Sequence, residues 1–90
     1  MHPVNPSNPA TPVAVIKNHT VTLFWKDNQN IAKYRVYRGL TCNKYYYLAN
    51  TTNKSYLDKN PIKGSSCYEV TALLGTQESK PSNSVKVIVP

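Results

Sequence analysis

Residues 20–39 read TVTLFWKDNQNIAKYRVYRG, two runs of alternating character around a polar break. In the first run Val21, Leu23 and Trp25 fall on one side of an extended chain, with Thr22 and Phe24 on the other. In the second, Tyr34 and Val36 share one side, and Arg35 and Tyr37 share the other. A period of two with one apolar side is the pattern of a half-buried strand, and no stretch of the chain carries a 3.6-residue period. Trp25, Tyr34 and Val36 are therefore expected in a core, which leaves Arg35 and Tyr37 as the half of YRVYRG that a partner can reach.

The same alternation extends outward in both directions. AVIK (14–17) lies before the decisive stretch, and YYYLAN (45–50), SYL (55–57), CYEVTAL (67–73) and SVKVIV (84–89) lie after it. Tyr68, Val70 and Ala72 share one side of their run, as do Val85, Val87 and Val89 of theirs. Polar breaks such as KDNQN, GLTCNK and KNPIKGSS separate the runs. Seven short strands spaced this way predict an all-β, seven-stranded antiparallel two-sheet sandwich of immunoglobulin-like form. Ninety residues suit one domain. The opening MHPVNPSNPATP places prolines at 3, 6, 9 and 12, the three-residue repeat of polyproline II. Residues 1–12 are expected to be a proline-rich linker, and residues 13–90 the folded domain. A linker implies a neighbouring domain.

Taken together, VTLFW, IAKYRVYRG, YLAN, SYLD, GSSCYEVTAL and QESKPSNSVKV resemble a fibronectin type III domain. The likeness is nearest to the bacterial type, found as accessory modules in secreted polysaccharide-degrading enzymes, and it covers Val13 to Val89. The resemblance implies core roles for Trp25 on the second strand and Tyr34 on the third. It makes Tyr68 the candidate for a tyrosine corner, with its hydroxyl on upstream backbone. It also makes the third and sixth strands neighbours, which brings Cys42 of GLTCNK and Cys67 of SSCY to one end of one sheet. A disulfide is expected between them, and with it an extracellular location, secreted or at the cell surface. The alternative for the pair is two free, half-buried thiols.

Charge and chemistry narrow the function. Eleven Lys and Arg against four Asp and Glu give a net charge of +7. The lysines fall about one per strand or turn, without a cluster, so a solvated surface competes with an anion-binding face. Nucleic-acid binding needs aromatics inside a basic groove, a poor match to scattered lysines. Asp27 and Asp58 sit in turns, where Asp commonly bonds its own backbone, Glu69 is expected to face solvent, and Glu78 lies in a loop. Neither His2 nor His19 has a Ser or Cys nucleophile beside it or shares a metal spacing with the cysteines, and the three glycines form no phosphate loop. No catalytic residue, no metal and no cofactor is expected, and no apolar run is long enough to span a membrane. Three sequons, at Asn18, Asn50 and Asn53, are about as many as chance gives in a chain this rich in Asn, Ser and Thr.

Two roles stay open. One is a monomeric spacer that orients a neighbouring, carbohydrate-active domain. The other is a module binding polysaccharide or a cell-surface protein through Tyr37, Tyr46, Arg35 and the exposed Phe24. The same rings also stabilise a sheet merely by cross-strand pairing.

Overall fold

The structure, a computed structural model, describes residues 5–90. The hairpin β1 (Val13–Lys17) to β2 (Thr20–Phe24) turns at Asn18 and His19. Both residues hold positive φ, 51° and 61°, the left-handed pair that a two-residue type I′ turn demands. β3 (Lys33–Thr41) and β4 (Lys44–Thr51) form a second hairpin, followed by β5 (Ser55–Asp58) and the long β6 (Gly64–Leu74). β7 (Gln77–Glu78) is a two-residue strand that the alternation does not announce, and β8 (Val85–Val89) closes the chain. All pairings are antiparallel, and no residue among those described is helical.

Two sheets result. The smaller has the order β1-β2-β5; in the larger, β4-β3-β6 is extended on the far edge of β6 by β7 and β8. Val21 and Leu23 from the smaller sheet meet Tyr34, Val36, Tyr68, Val70, Ala72, Val87 and Val89 from the larger, all buried. Trp25, just past β2, sets its ring edge-on to Tyr34 with centroids 5.5 Å apart, joining the two layers.

The far edge of β6 has a gap between the residues that pair with β8 and those that pair with β7. Two buried serines fill it. The Ser79 N–H donates to the Ala72 carbonyl at 2.9 Å while the Ala72 N–H donates to Ser79 Oγ at 2.8 Å. Ser82 does the same with Val70, at 2.8 and 3.0 Å. Pro81 lies between them and has no N–H for a ladder, so the hydroxyls take the place of strand carbonyls.

Packing starts earlier than Val13. Pro6, Pro9 and Pro12 are buried. The Gln29 side chain accepts from the Ser7 N–H and donates to the Ser7 carbonyl, each at 2.7 Å, and Ala10 N–H donates to the Lys26 carbonyl at 3.1 Å. The stretch read as a proline-rich linker packs against the domain through Pro6, Pro9 and Pro12; Pro3 and His2 lie outside the described residues. The physical reason is the composition itself: prolines present apolar rings and few unsatisfied donors, so they pack on a surface that a polar tail would not wet. Ser7 to Thr11 lie beside Lys26–Gln29, whereas Val89 and Pro90 lie beside His19 and Pro61, at the opposite end of the sandwich.

Candidate functional site

The outward face of the larger sheet gathers most of the candidate chemistry. β3 contributes Lys33, Arg35 and Tyr37; β6 contributes Thr71 and Glu69; β7 contributes Glu78. Glu78, which the sequence places in a loop, is the hub. Its carboxylate accepts from Arg35 Nη1 at 3.0 Å, from the Tyr37 hydroxyl at 2.5 Å and from Thr71 Oγ1 at 2.7 Å. Burial alone would raise the Glu78 pKa. The hydrogen bonds from Tyr37 and Thr71 and the charge of Arg35 outweigh it and hold the carboxyl below the ordinary glutamate range. Tyr37 moves up, from burial first and then from its bond to that carboxylate. Arg35 Nε is enclosed and meets no acceptor among the described residues.

Tyr46 and Tyr37 were expected to point the same way, and they do not. The β3–β4 register shifts between Val36 and Tyr37, where Leu48 is left over as a bulge. Tyr37 consequently pairs with Tyr47, and Arg38 with Tyr46. The Tyr37 and Tyr47 rings meet edge-to-face with centroids 6.4 Å apart, and the Arg35 guanidinium sits 5.9 Å from the Tyr47 centroid. Tyr47 is 59% exposed. Tyr46 belongs to the inward row, past the reach of the smaller sheet, where Lys44 Nζ lies 5.6 Å from its ring. Phe24 is on the outward face of the smaller sheet, so the four proposed binding residues divide among three surfaces. Tyr45 reaches across to hydrogen-bond Ser84.

Asp58 was expected to bond the backbone of its own turn. It does accept from the Asn60 N–H, at 3.2 Å, but its other oxygen takes Arg38 Nη1 at 2.8 Å and the Tyr68 hydroxyl at 2.5 Å. Tyr68 is buried and bonds this carboxylate rather than upstream backbone, so it is not a tyrosine corner of the expected kind. Burial and the Asp58 carboxylate both push its pKa up. Arg38 is thereby committed to the interior. Asp27 plays a lesser version of the role, accepting from Tyr34 at 2.8 Å and Gln29 at 2.9 Å.

Cys42 and Cys67 form a disulfide with Cα atoms 5.3 Å apart. It links the β3–β4 turn to β6 opposite Gly39. A Cβ on Gly39 would lie 2.0 Å from the Lys44 carbonyl oxygen, so the hairpin can cross there only over glycine. Among the described residues no group of three His, Cys, Asp or Glu is placed to hold a metal, and no helix is long and apolar enough to cross a membrane.

No protein-family model and no curated protein sequence matches the chain. Solved structures do. An Fn3-like protein from Clostridium thermocellum superposes with a TM-score of 0.85 at 24% identity, over 97% of this chain and 96% of that one. The twitchin kinase region from C. elegans gives 0.83 at 18% identity over 97% of this chain, and a β-1,2-glucanase from Parabacteroides distasonis gives 0.78 at 25% over 97%. The chain spans only 17% of the twitchin chain and 14% of the glucanase chain. It has the fibronectin type III fold.

Proposed function

We propose that the chain is a non-catalytic accessory module of an extracellular multidomain protein, holding a neighbouring domain at a fixed distance and orientation. The observation that carries this reading is the docked segment before β1. A flexible linker leaves its neighbour free to reorient, whereas residues 7–10 are tied to the domain through Gln29 and Lys26. The two ends of the described chain lie at opposite poles of a body 50 Å in its longest extent, the arrangement of a strut. The glucanase whose chain contains a matching region supports a carbohydrate-active neighbour. The disulfide supports an oxidising compartment.

Amide exchange and backbone order parameters test the reading. Ser7 and Ala10 are expected to be as ordered as the strands, and Gln29→Ala is expected to release Ser7 while the core amides stay protected. If the wild-type residues 7–10 move like a free tail, the orienting role fails.

A further inference from the structure

The accessory role leaves the outward face of the larger sheet without a purpose. Three of the four carboxylates are occupied internally: Asp27 by Tyr34 and Gln29, Asp58 by Arg38 and Tyr68, Glu78 by Arg35, Tyr37 and Thr71. The two salt bridges among the described residues both use arginine. The lysines are therefore uncompensated, and the surface they cover is positive. On the outward face one of them, Lys33, lines two adjoining clefts together with Asn50. One cleft, of about 350 Å³, continues to Arg35, Thr76 and Glu78; the other, of about 370 Å³, turns round the β4 edge at Thr51 and Thr52. Each has the size of a small-ligand site. Asn50 pairs with Arg35 in the sheet, and Arg35 lies against Tyr47, so the exposed ring sits next to the first cleft.

We infer that this face binds a carboxylated polysaccharide. A pyranose ring presents a flat array of C–H groups that packs on an aromatic ring. Tyr47, 59% exposed, offers that platform, held by an edge-to-face contact with Tyr37 and by Arg35 over one face. The hydroxyls of a sugar chain need alternating donors and acceptors at short range, which Asn50, Thr76 and Thr51 provide. A carboxylate on the sugar meets Lys33, since Arg35 and Glu78 neutralise each other. Glu69, the one side-chain carboxylate without a partner among the described residues, lies beside Tyr37 at the other end of the row. From Lys33 to Tyr37 the row extends roughly 13 Å along β3, room for more than one ring. An acidic peptide would satisfy Lys33 but has no flat apolar face for Tyr47. Because the site lies on the sheet and the docked segment lies at one pole, this inference stands independently of the accessory role.

Heteronuclear NMR titration of the whole chain with defined oligogalacturonates tests it, at about 0.15 M salt so that diffuse attraction is screened. Neutral cello-oligosaccharides and poly-glutamate serve as comparators. Saturable shifts are expected at Lys33, Arg35, Tyr47 and Asn50. Tyr47→Ala is expected to weaken binding at least about tenfold and Lys33→Ala several-fold, while Tyr46→Ala, on the other face of the same hairpin, changes nothing. Tyr47→Leu replaces Tyr47→Ala if the latter loses its folded spectrum, with the same expected loss. Absence of saturable shifts overturns the site. Equal binding of neutral oligosaccharides overturns the carboxylate requirement, equal binding of poly-glutamate overturns the sugar, and an equal effect of Lys63→Ala reduces the interaction to diffuse charge.

Discussion

The Tyr68 hydroxyl donates to Asp58 Oδ2 at 2.5 Å, inside a sandwich where Asp58 is 3% exposed and Tyr68 fully buried. The same oxygen accepts Arg38 Nη1 at 2.8 Å. One carboxylate at the end of β5, in the smaller sheet, thus receives groups from β3 and β6 of the larger, and fixes how the two layers register at that pole. Replacing Asp58 by Ala leaves the buried Tyr68 hydroxyl unpaired and Arg38, whose side chain is 24% exposed, with only the Asn60 carbonyl at 3.1 Å. The unpaired hydroxyl and the weakened, partly solvated ion pair together cost about 2–4 kcal/mol, a large part of the ~5–15 kcal/mol that holds a small domain together. Tyr68→Phe removes one donor and leaves the ion pair, so about 1–2 kcal/mol is expected. Urea unfolding of both variants decides it: equal losses would mean that the ion pair contributes nothing.

The disulfide carries the next expectation. It closes a sequence separation of 25 residues, for which constraint of the unfolded chain contributes about 3 kcal/mol. A Cys42→Ala, Cys67→Ala double variant should fold with its stability reduced by about that amount. The two thiols should also differ. Cys67 is 1% exposed, while Cys42 lies in the exposed hairpin turn. In Cys67→Ala the remaining Cys42 should alkylate freely; in Cys42→Ala the remaining Cys67 should react only as fast as the domain opens. Equal alkylation rates would mean that the buried end of β6 is open without its bridge.

These relationships differ in how far they could be read from the residues. Strands were legible where one side of an extended run is apolar and the other polar, as in TVTLF and KYRVYRG, because burial of one face imposes that alternation. The disulfide followed from strand adjacency once the topology was recognised. Three Tyr in a row, at 45–47, carry no alternation at all, and the bulge at Leu48 decides which of them joins Tyr37. A bulge inserts one residue and turns every later side chain to the opposite face, without a sequence mark of its own. Asp58, Arg38 and Tyr68 are far apart in the chain, and Asp58 reads as an ordinary turn residue until its partners arrive from other strands. Glu78 escaped for the same reason: a two-residue strand is too short for any period to show.

Glu78 and Glu69 respond to pH with opposite sign. The Glu78 pKa is depressed in the folded chain, so its contribution is complete above the ordinary glutamate value of about 4.3 and is lost as pH falls through the lower folded value. Glu69, on the same face, is raised by burial, so its carboxylate opposes folding once pH climbs through the raised value. Glu78→Gln should therefore lower Tm at about pH 7, with the difference from wild type shrinking at about pH 3. Glu69→Gln should raise Tm at neutral pH and leave it unchanged in acid. Calorimetric scans across this range check both, and a Glu78→Gln deficit that persists unchanged in acid would show that its charge is not what holds Arg35, Tyr37 and Thr71.

The last expectation concerns the serines that stand in for a strand. The Val70 and Ala72 amides face a segment interrupted by Pro81, and each is satisfied only by a serine hydroxyl, Ser82 and Ser79 respectively. Both serines are buried, at 4% and 6% exposure, so water does not replace the lost acceptor. Removing one hydroxyl leaves a buried N–H unpaired, which costs about 1–3 kcal/mol. Ser82→Ala and Ser79→Ala should each destabilise by that amount, and their effects should be roughly additive if the two bonds act independently. Threonine keeps the acceptor, so Ser→Thr at either position should retain more stability than Ser→Ala wherever the extra methyl fits. Hydrogen exchange locates the damage. The Val70 amide should lose protection in Ser82→Ala and the Ala72 amide in Ser79→Ala, while amides of β3 exchange as in the wild type. If the two amides stay protected in the alanine variants, the edge of β6 is closed by something other than these hydroxyls.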